Sequence, residues 1–203
     1  MRIALMLLLA FGLLPAAQAE TAPDELVKSV TAEVIEIVKN DEDIKKGDPR
    51  KAAQLVQEKV LHHFNFTRMT ALAMGVSWRQ ATPEQRRSLV DQFRTLLVRT
   101  YSTALTSYRD QTIDYAPLRM QPGDKDVTVR SLVRQPGAQP VTIDYRMEKT
   151  SDNWKVYDVA VGGVSLVTTY RDTFNTEVRN SGIDGLLKTL MEKNQQLANQ
   201  SNG

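Results

Sequence analysis

His62 and His63 are the only imidazoles in this 203-residue chain, and they are adjacent. Neighbours on a helix point about 100° apart, so the pair cannot face one metal ion from a single site. An amphipathic helix surface accounts for them, and no other histidine exists to serve a serine or an aspartate as a base. Zero cysteines remove disulfides, thiolate-held metal and thiol nucleophiles together. The carboxylates with a strand context are Asp144 and Asp158, with Asp172 further on. Asp144 falls on the polar face of a strand, where an ion pair with Arg130 or Arg146 explains it. Asp158 lies among apolar residues, where a buried, hydrogen-bonded structural carboxylate is the first reading and a catalytic one the second. No glycine pattern fits a phosphate loop or a dinucleotide fold, and the Asn65-Phe66-Thr67 sequon is a short match. Nothing in the chain reads as a reaction centre.

The elements that would position these groups begin after a leader. Arg2 precedes an apolar run from Ile3 to Leu14, and Ala17-Gln18-Ala19 gives a small-x-small cleavage site before Glu20. The run is shorter than the roughly 20 residues needed to span a bilayer. The expectation is a cleaved signal peptide at 1–19 and a single exported domain at 20–203. Without disulfides that domain must be held by its core, for which its length is ample. The formal net charge is +2, and Arg2 leaves with the leader. That balance excludes the clustered basic footprint of a nucleic-acid binder.

Hydrophobic spacing then sets the order of elements. Val27, Val30, Val34, Ile37 and Val38 mark one helix face. Asp48-Pro49 starts a second helix carrying Ala52, Leu55, Val56 and Val60. A third segment runs from Phe64 to Met74. Thr82-Pro83-Glu84-Gln85 is a capping box opening a long helix whose stripe runs through Leu89, Phe93, Leu96, Leu97, Tyr101 and Leu105 to Tyr108. The period then changes to two. Thr112–Tyr115, Val127–Arg134, Val141–Met147 and a strand from Trp154 are joined by Pro/Gly turns, which reads as an antiparallel meander. In the last strand, strict alternation places Trp154, Val156 and Asp158 on one face and Tyr157, Val159 and Val161 on the other. A bend at Gly162-Gly163 leads into apolar helix, and a final helix after Asp184 carries Leu186, Leu187, Leu190 and Met191. The class is α+β. Five apolar helix faces compete for one or two sheet faces. That surplus fits either a cavity or an ordinary full core.

Phe66-Thr67-Arg68-Met69, Leu72-Ala73-Met74-Gly75, Trp78, Ala81 to Arg86, Phe93, Leu97 and Tyr101 occur in the order typical of one family. So do Val141 to Tyr145, Trp154 to Val159, Gly163-Val164-Ser165-Leu166-Val167, Tyr170-Arg171, Phe174 and Gly182-Ile183-Asp184-Gly185-Leu186. In these blocks the chain resembles the MlaC, or toluene-tolerance (Ttg2D-like), family over nearly all of its length after the leader. Gly162 departs from the acidic residue that relatives often carry there.

The resemblance implies an NTF2-like α+β fold in which N- and C-terminal helices wrap a four-stranded antiparallel or mixed sheet around an apolar cavity. It implies a periplasmic phospholipid carrier that maintains outer-membrane lipid asymmetry, is not an enzyme and has no cofactor beyond its cargo. Its partners would be an outer-membrane lipoprotein complex and an MCE-type substrate-binding component of an inner-membrane ABC transporter, met as a monomer. Two acyl chains would call for a cavity of roughly 1,000 Å³ or more. Patterning nominates the lining: Leu97, Tyr101 and Leu105 from the long helix; Val127, Val129, Ile143 and Tyr145 from the sheet; Val159, Val161, Val164 and Leu166 around the bend, with Val164 the preferred single site. The rival is an exported enzyme of the same fold acting on a small apolar substrate through Asp158 with Tyr157 or Arg171. A scaffold without a cavity is the third reading.

Overall fold

The computed structural model describes residues 21–151 and 153–200; the expected signal peptide lies outside the described residues. Helix α1 (Pro23–Asn40) carries Pro23 at its first turn with Asp24 and Glu25 beside it, where negative charge complements the helix dipole. The short α2 (Glu42–Lys45) is capped by Asp41, and α3 (Pro49–Lys59) by Asp48, whose carboxylate accepts from the Arg50 and Lys51 amides. A 3-10 turn (Leu61–His63) leads to α4 (Phe66–Met74). Helix α5 (Pro83–Tyr101) opens with the expected capping box, Thr82 and Gln85 each satisfying the other's backbone amide. The apolar stripe does not continue on one straight helix, however. From Ser102 to Ser107 the chain tightens into a 3-10 helix, which changes the angular step per residue and turns Leu105 away from the line of Leu97 and Tyr101.

The sheet has five strands rather than four: β1 (Thr112–Tyr115), β2 (Asp126–Arg134), β3 (Val141–Lys149), β4 (Trp154–Val161) and a two-residue β5 (Val164–Ser165). They lie in chain order and every pair is antiparallel. Gly162 (φ 57°) and Gly163 (φ 84°) make the β4–β5 turn in the left-handed region open to glycine. The register places Val127 opposite Met147, Val129 opposite Tyr145 and Ser131 opposite Ile143 on one face. One extra residue, Tyr157, is inserted between the pairs Met147–Val156 and Arg146–Asp158. This bulge corrects the alternation expected for β4. Trp154, Val156 and Val159 pack together on the concave face, whereas the Tyr157 hydroxyl donates to Asp126 and Asp158 accepts from Ser165.

Among the described residues three clusters make up the core. Met69, Leu89, Phe93, Phe174, Leu186 and Leu190 join α4 and α5 to α6 (Leu166–Gln200). Leu26 and Val27 of α1 close onto Val127, Val129, Met147, Trp154 and Val156 of the sheet. Val34, Val38, Ile44 and Leu55 join the first three helices, with Leu105 and Tyr108 against them. Gly182 breaks α6 at φ 73° and ψ −177°, a region essentially restricted to glycine. The break lets the second limb carry Leu186 and Leu190 back onto α5, where the Gln85 amide donates to Asp184 at 2.7 Å. Gly182→Ala is expected to cost about 2–3 kcal/mol. A lowered thermal unfolding midpoint measures it, and an unchanged midpoint would show that the break is not held by that residue.

Candidate functional site

Between the concave sheet face and α1 lies an apolar cavity of about 360 Å³. Leu26, Val27, Val30, Val34 and Val38 of α1 form one wall, and Ile113, Val133, Ile143, Tyr145, Met147 and Val156 the other. Val60, His63 and Phe64 close one end; Ala104, Leu105 and Tyr108 approach from the 3-10 helix after α5. A second recess of about 370 Å³ adjoins it between α1 and β1, and the two share Thr31, Ile35 and Ile113. In place of the expected single cavity of roughly 1,000 Å³, two smaller spaces adjoin along α1 and meet at Thr31, Ile35 and Ile113.

The polar groups on this lining are few. Burial pushes the Tyr145 phenol up to about 12, so it stays neutral. Burial holds His63 below its ordinary 6.5, helped by the charges of His62 and Lys155 and opposed by Glu33. The folded state thus favours the neutral ring. Its contribution to stability is full above the unfolded value near 6.5 and is lost as pH falls through that value towards the lower folded one. His63→Gln is expected to flatten the decline of the unfolding midpoint between about pH 7 and pH 5; an unaltered slope would remove His63 as a contributor. Among the described residues no cluster of His, Asp and Glu could hold a metal ion.

Of the lining nominated from sequence, Leu105, Ile143 and Tyr145 reach the cavity. Val127, Val129 and Val159 share its sheet face but lie in the cluster beside it. The others fall elsewhere. Leu97 is buried between α5 and α6. Tyr101 is 42% exposed, because the helix tightens immediately after it. Val161 (42%) and Val164 (62%) flank the β4–β5 turn and face solvent. Leu166 is half-buried at the start of α6. The α1 wall was missed. Its Val27, Val30, Val34 and Val38 stripe is visible in the sequence, but nothing in one dimension says that α1, rather than the longer α5, lies over the sheet.

The residues of the enzyme reading are all occupied by structural work. Asp158 is 2% exposed and accepts from the Ser165 hydroxyl at 2.7 Å and the Val167 amide at 3.1 Å. Ser165 in turn accepts from the Thr168 amide at 3.0 Å. Together they cap the N-terminus of α6, with Arg146 at 3.4 Å from the carboxylate. Tyr157 binds Asp126, and the Arg171 Nε donates to the Leu72 carbonyl. None of the three lines the cavity. What remains is a mostly apolar space under a helix, its polar lining groups limited to Thr31, His63, Tyr108, Gln111 and Tyr145, and able to hold hydrocarbon.

The model of the family described as MlaC protein matches residues 28–192, most of the chain. The chain belongs to the MlaC family. Within it, the intermembrane phospholipid transport system binding protein MlaC of Haemophilus influenzae is 26% identical over 196 residues, covering 95% of this chain and 90% of that protein. The toluene tolerance protein ttg2D of Pseudomonas putida is 28% identical over 181 residues, 89% of this chain and 83% of its own length. The phospholipid-binding protein of Ralstonia solanacearum, solved in complex with a phospholipid, superposes with a TM-score of 0.82 at 41% identity, covering 88% of this chain and 99% of that one. Two of the blocks that carried the resemblance have physical roles. Asp158 with Gly163-Val164-Ser165 builds the turn and cap that launch α6, and Gly182-Ile183-Asp184-Gly185 builds its break.

Proposed function

We infer that this protein is a periplasmic phospholipid carrier whose acyl chains occupy the space between α1 and the sheet. One observation carries the reading: the cavity is lined almost wholly by aliphatic and aromatic side chains, in a chain 41% identical to a protein solved with a phospholipid bound. The binding residues on this reading are Ile143, Tyr145 and Leu105 together with the α1 wall. A diacyl lipid carries some thirty methylenes, on the order of 24 kcal/mol of apolar transfer at about 0.8 kcal/mol each. A bilayer offers the chains nearly the same gain. Exchange between carrier and membrane is then close to balance and requires docking and opening, not a reaction. Two chains exceed the volume of either recess alone, so a diacyl cargo on this reading draws on both.

The carrier is read as a single domain, freed by cleavage of residues 1–19. It moves lipid between an outer-membrane lipoprotein complex and the MCE-type component of an inner-membrane transporter, and so preserves outer-membrane asymmetry. No helix among the described residues is long and apolar enough to cross a membrane, which suits a shuttle. The test is native mass spectrometry of the protein purified without detergent, followed by lipid extraction. Added mass matching one or two diacyl phospholipids supports the carrier. A bare polypeptide mass with no uptake from liposomes overturns it.

A further inference from the structure

The sheet wall of the apolar cavity does not stop where the cavity does. At one end Phe64 sits beside Val156 and closes the space. At the opposite end, where Val133 and Ile143 line it, the same sheet face runs on into solvent. Directly opposed residues of antiparallel strands project from one face of a sheet. Val133 opposes Val141, Ile143 opposes Val161, and Val161 opposes Val164 across the β4–β5 turn. Val141, Val161 and Val164 therefore continue the cavity face as an apolar lip, 40%, 42% and 62% exposed. The lip lies in a region without charge. Asp, Glu, Lys and Arg make up 25% of the chain, yet positions 100–108, 135–143 and 159–170 hold none of them. All three stretches reach this end of the molecule. The first supplies Ala104, Leu105 and Tyr108 to the cavity and the second supplies Ile143. The third carries Val161 and Val164. The nearby ion pairs Arg130–Asp144 and Arg134–Asp114 lie on the other face of the sheet.

We propose that this end of the protein seats directly on a lipid bilayer, with the valine lip at the boundary between headgroups and acyl chains. The proposal rests on the carrier reading for what the cavity holds. Continuity selects the occupant. A chain entering or leaving the cavity here slides over the lip, and each methylene that meets water on the way is unfavourable. A lip set into the bilayer boundary removes that exposure. The missing charge selects the same occupant. Ionised side chains are costly at the edge of hydrocarbon, whereas Val, Ala, Gly and uncharged hydroxyl residues enter it without leaving a buried ion. Contacts between proteins draw instead on arginine and on a polar, hydrogen-bonding rim. The lip on this account governs how fast lipid exchanges between membrane and cavity, and the cavity wall governs how much is held at equilibrium.

The test pairs a contact measurement with a rate. The chain has no cysteine, so one introduced thiol takes one fluorophore. Val164→Cys is labelled in the full exported protein, with Met120→Cys as the reference. Met120 is exposed in the β1–β2 loop, at the opposite end of the sheet. Vesicles of phosphatidylethanolamine and phosphatidylglycerol doped with a doxyl-labelled lipid should quench the label at 164 and leave that at 120 bright. The rate is the uptake of a fluorescent phospholipid from such vesicles without the quencher. Val141→Glu with Val164→Glu should slow uptake by about tenfold or more and reach the same final occupancy. Met120→Glu with Met191→Glu, exposed on other elements, should match the wild type. A label at 164 that is not quenched, or quenched no more than that at 120, overturns the proposal, as does an uptake rate that the lip variant leaves unchanged. A rate loss seen only when a purified partner protein donates the lipid also overturns it, by making the lip a protein contact. The carrier reading fails on a different result, a wild-type protein that takes up no phospholipid; the label at 164 still reports whether this end meets the bilayer.

Discussion

Ile143→Glu protein is expected to be purified folded and without phospholipid, while Val164→Glu protein retains its lipid. Ile143 stands on β3 opposite Ser131 and Val161, with its side chain on the cavity wall between Val133 and Tyr145. A carboxylate there must be hydrated or neutralised beside hydrocarbon, and an unpaired buried charge costs several kcal/mol. The cavity can admit water to a half-buried site, which lowers that cost. A fall in lipid occupancy or affinity of about a hundredfold is expected, equivalent to roughly 2.8 kcal/mol. The same charge at Val164 meets solvent on the β4–β5 turn, where the residue is 62% exposed, and surface substitutions of that kind stay within about 0.5 kcal/mol. Leu105→Glu, reaching the cavity from the 3-10 helix rather than the sheet, guards against a β3 variant that fails to fold. Native mass spectrometry of the variants reads the outcome. Lipid retained in both Ile143→Glu and Leu105→Glu, with the fold intact by circular dichroism, would move the cargo site away from this cavity.

The contrast between these positions shows where reading one dimension stops. Local signals were strong wherever a cap or a period of two decided the structure. The Thr82–Gln85 capping box, the Asp48 cap and the alternation of Val127, Val129, Ile143, Tyr145 and Met147 all appear where the residues place them. Errors arose where one residue changes phase. Tyr157 as a bulge reverses the faces of β4 beyond it. The tightening at Ser102 separates Leu105 from Leu97 and Tyr101. Neither event has a composition signature, since a bulge and a 3-10 step are set by what packs against them. Which helix covers the sheet is likewise a tertiary fact. The valines of α1 were legible as a face and illegible as a roof.

Asp158→Ala is expected to destabilise the fold by about 3 kcal/mol without altering lipid bound per folded molecule. The carboxylate holds two partners at the start of α6, and hydrogen bonds to a charged group are worth roughly 1.5–3 kcal/mol with a further dipole contribution at a helix N-terminus. Its loss also leaves the Ser165 hydroxyl without its acceptor and Arg146 without its 3.4 Å partner. For a domain of this size the unfolding midpoint should drop by about 10 °C. Ser165→Ala should lose less, about 1 kcal/mol, as a lost cap does. The double variant should cost less than the two added together, because Ser165 relays the carboxylate to the Thr168 amide and the two groups share one network. A carrier needs Asp158 only to keep α6 in place, so lipid content normalised to folded protein stays constant across the series. The enzyme reading demands the opposite pattern: Asp158→Asn would keep the fold and abolish a turnover. Stability that is untouched in Asp158→Ala, together with a lost activity on an apolar substrate, would return this carboxylate to chemistry. Its 2% exposure and its place on the face away from the cavity argue that the cap is its whole function.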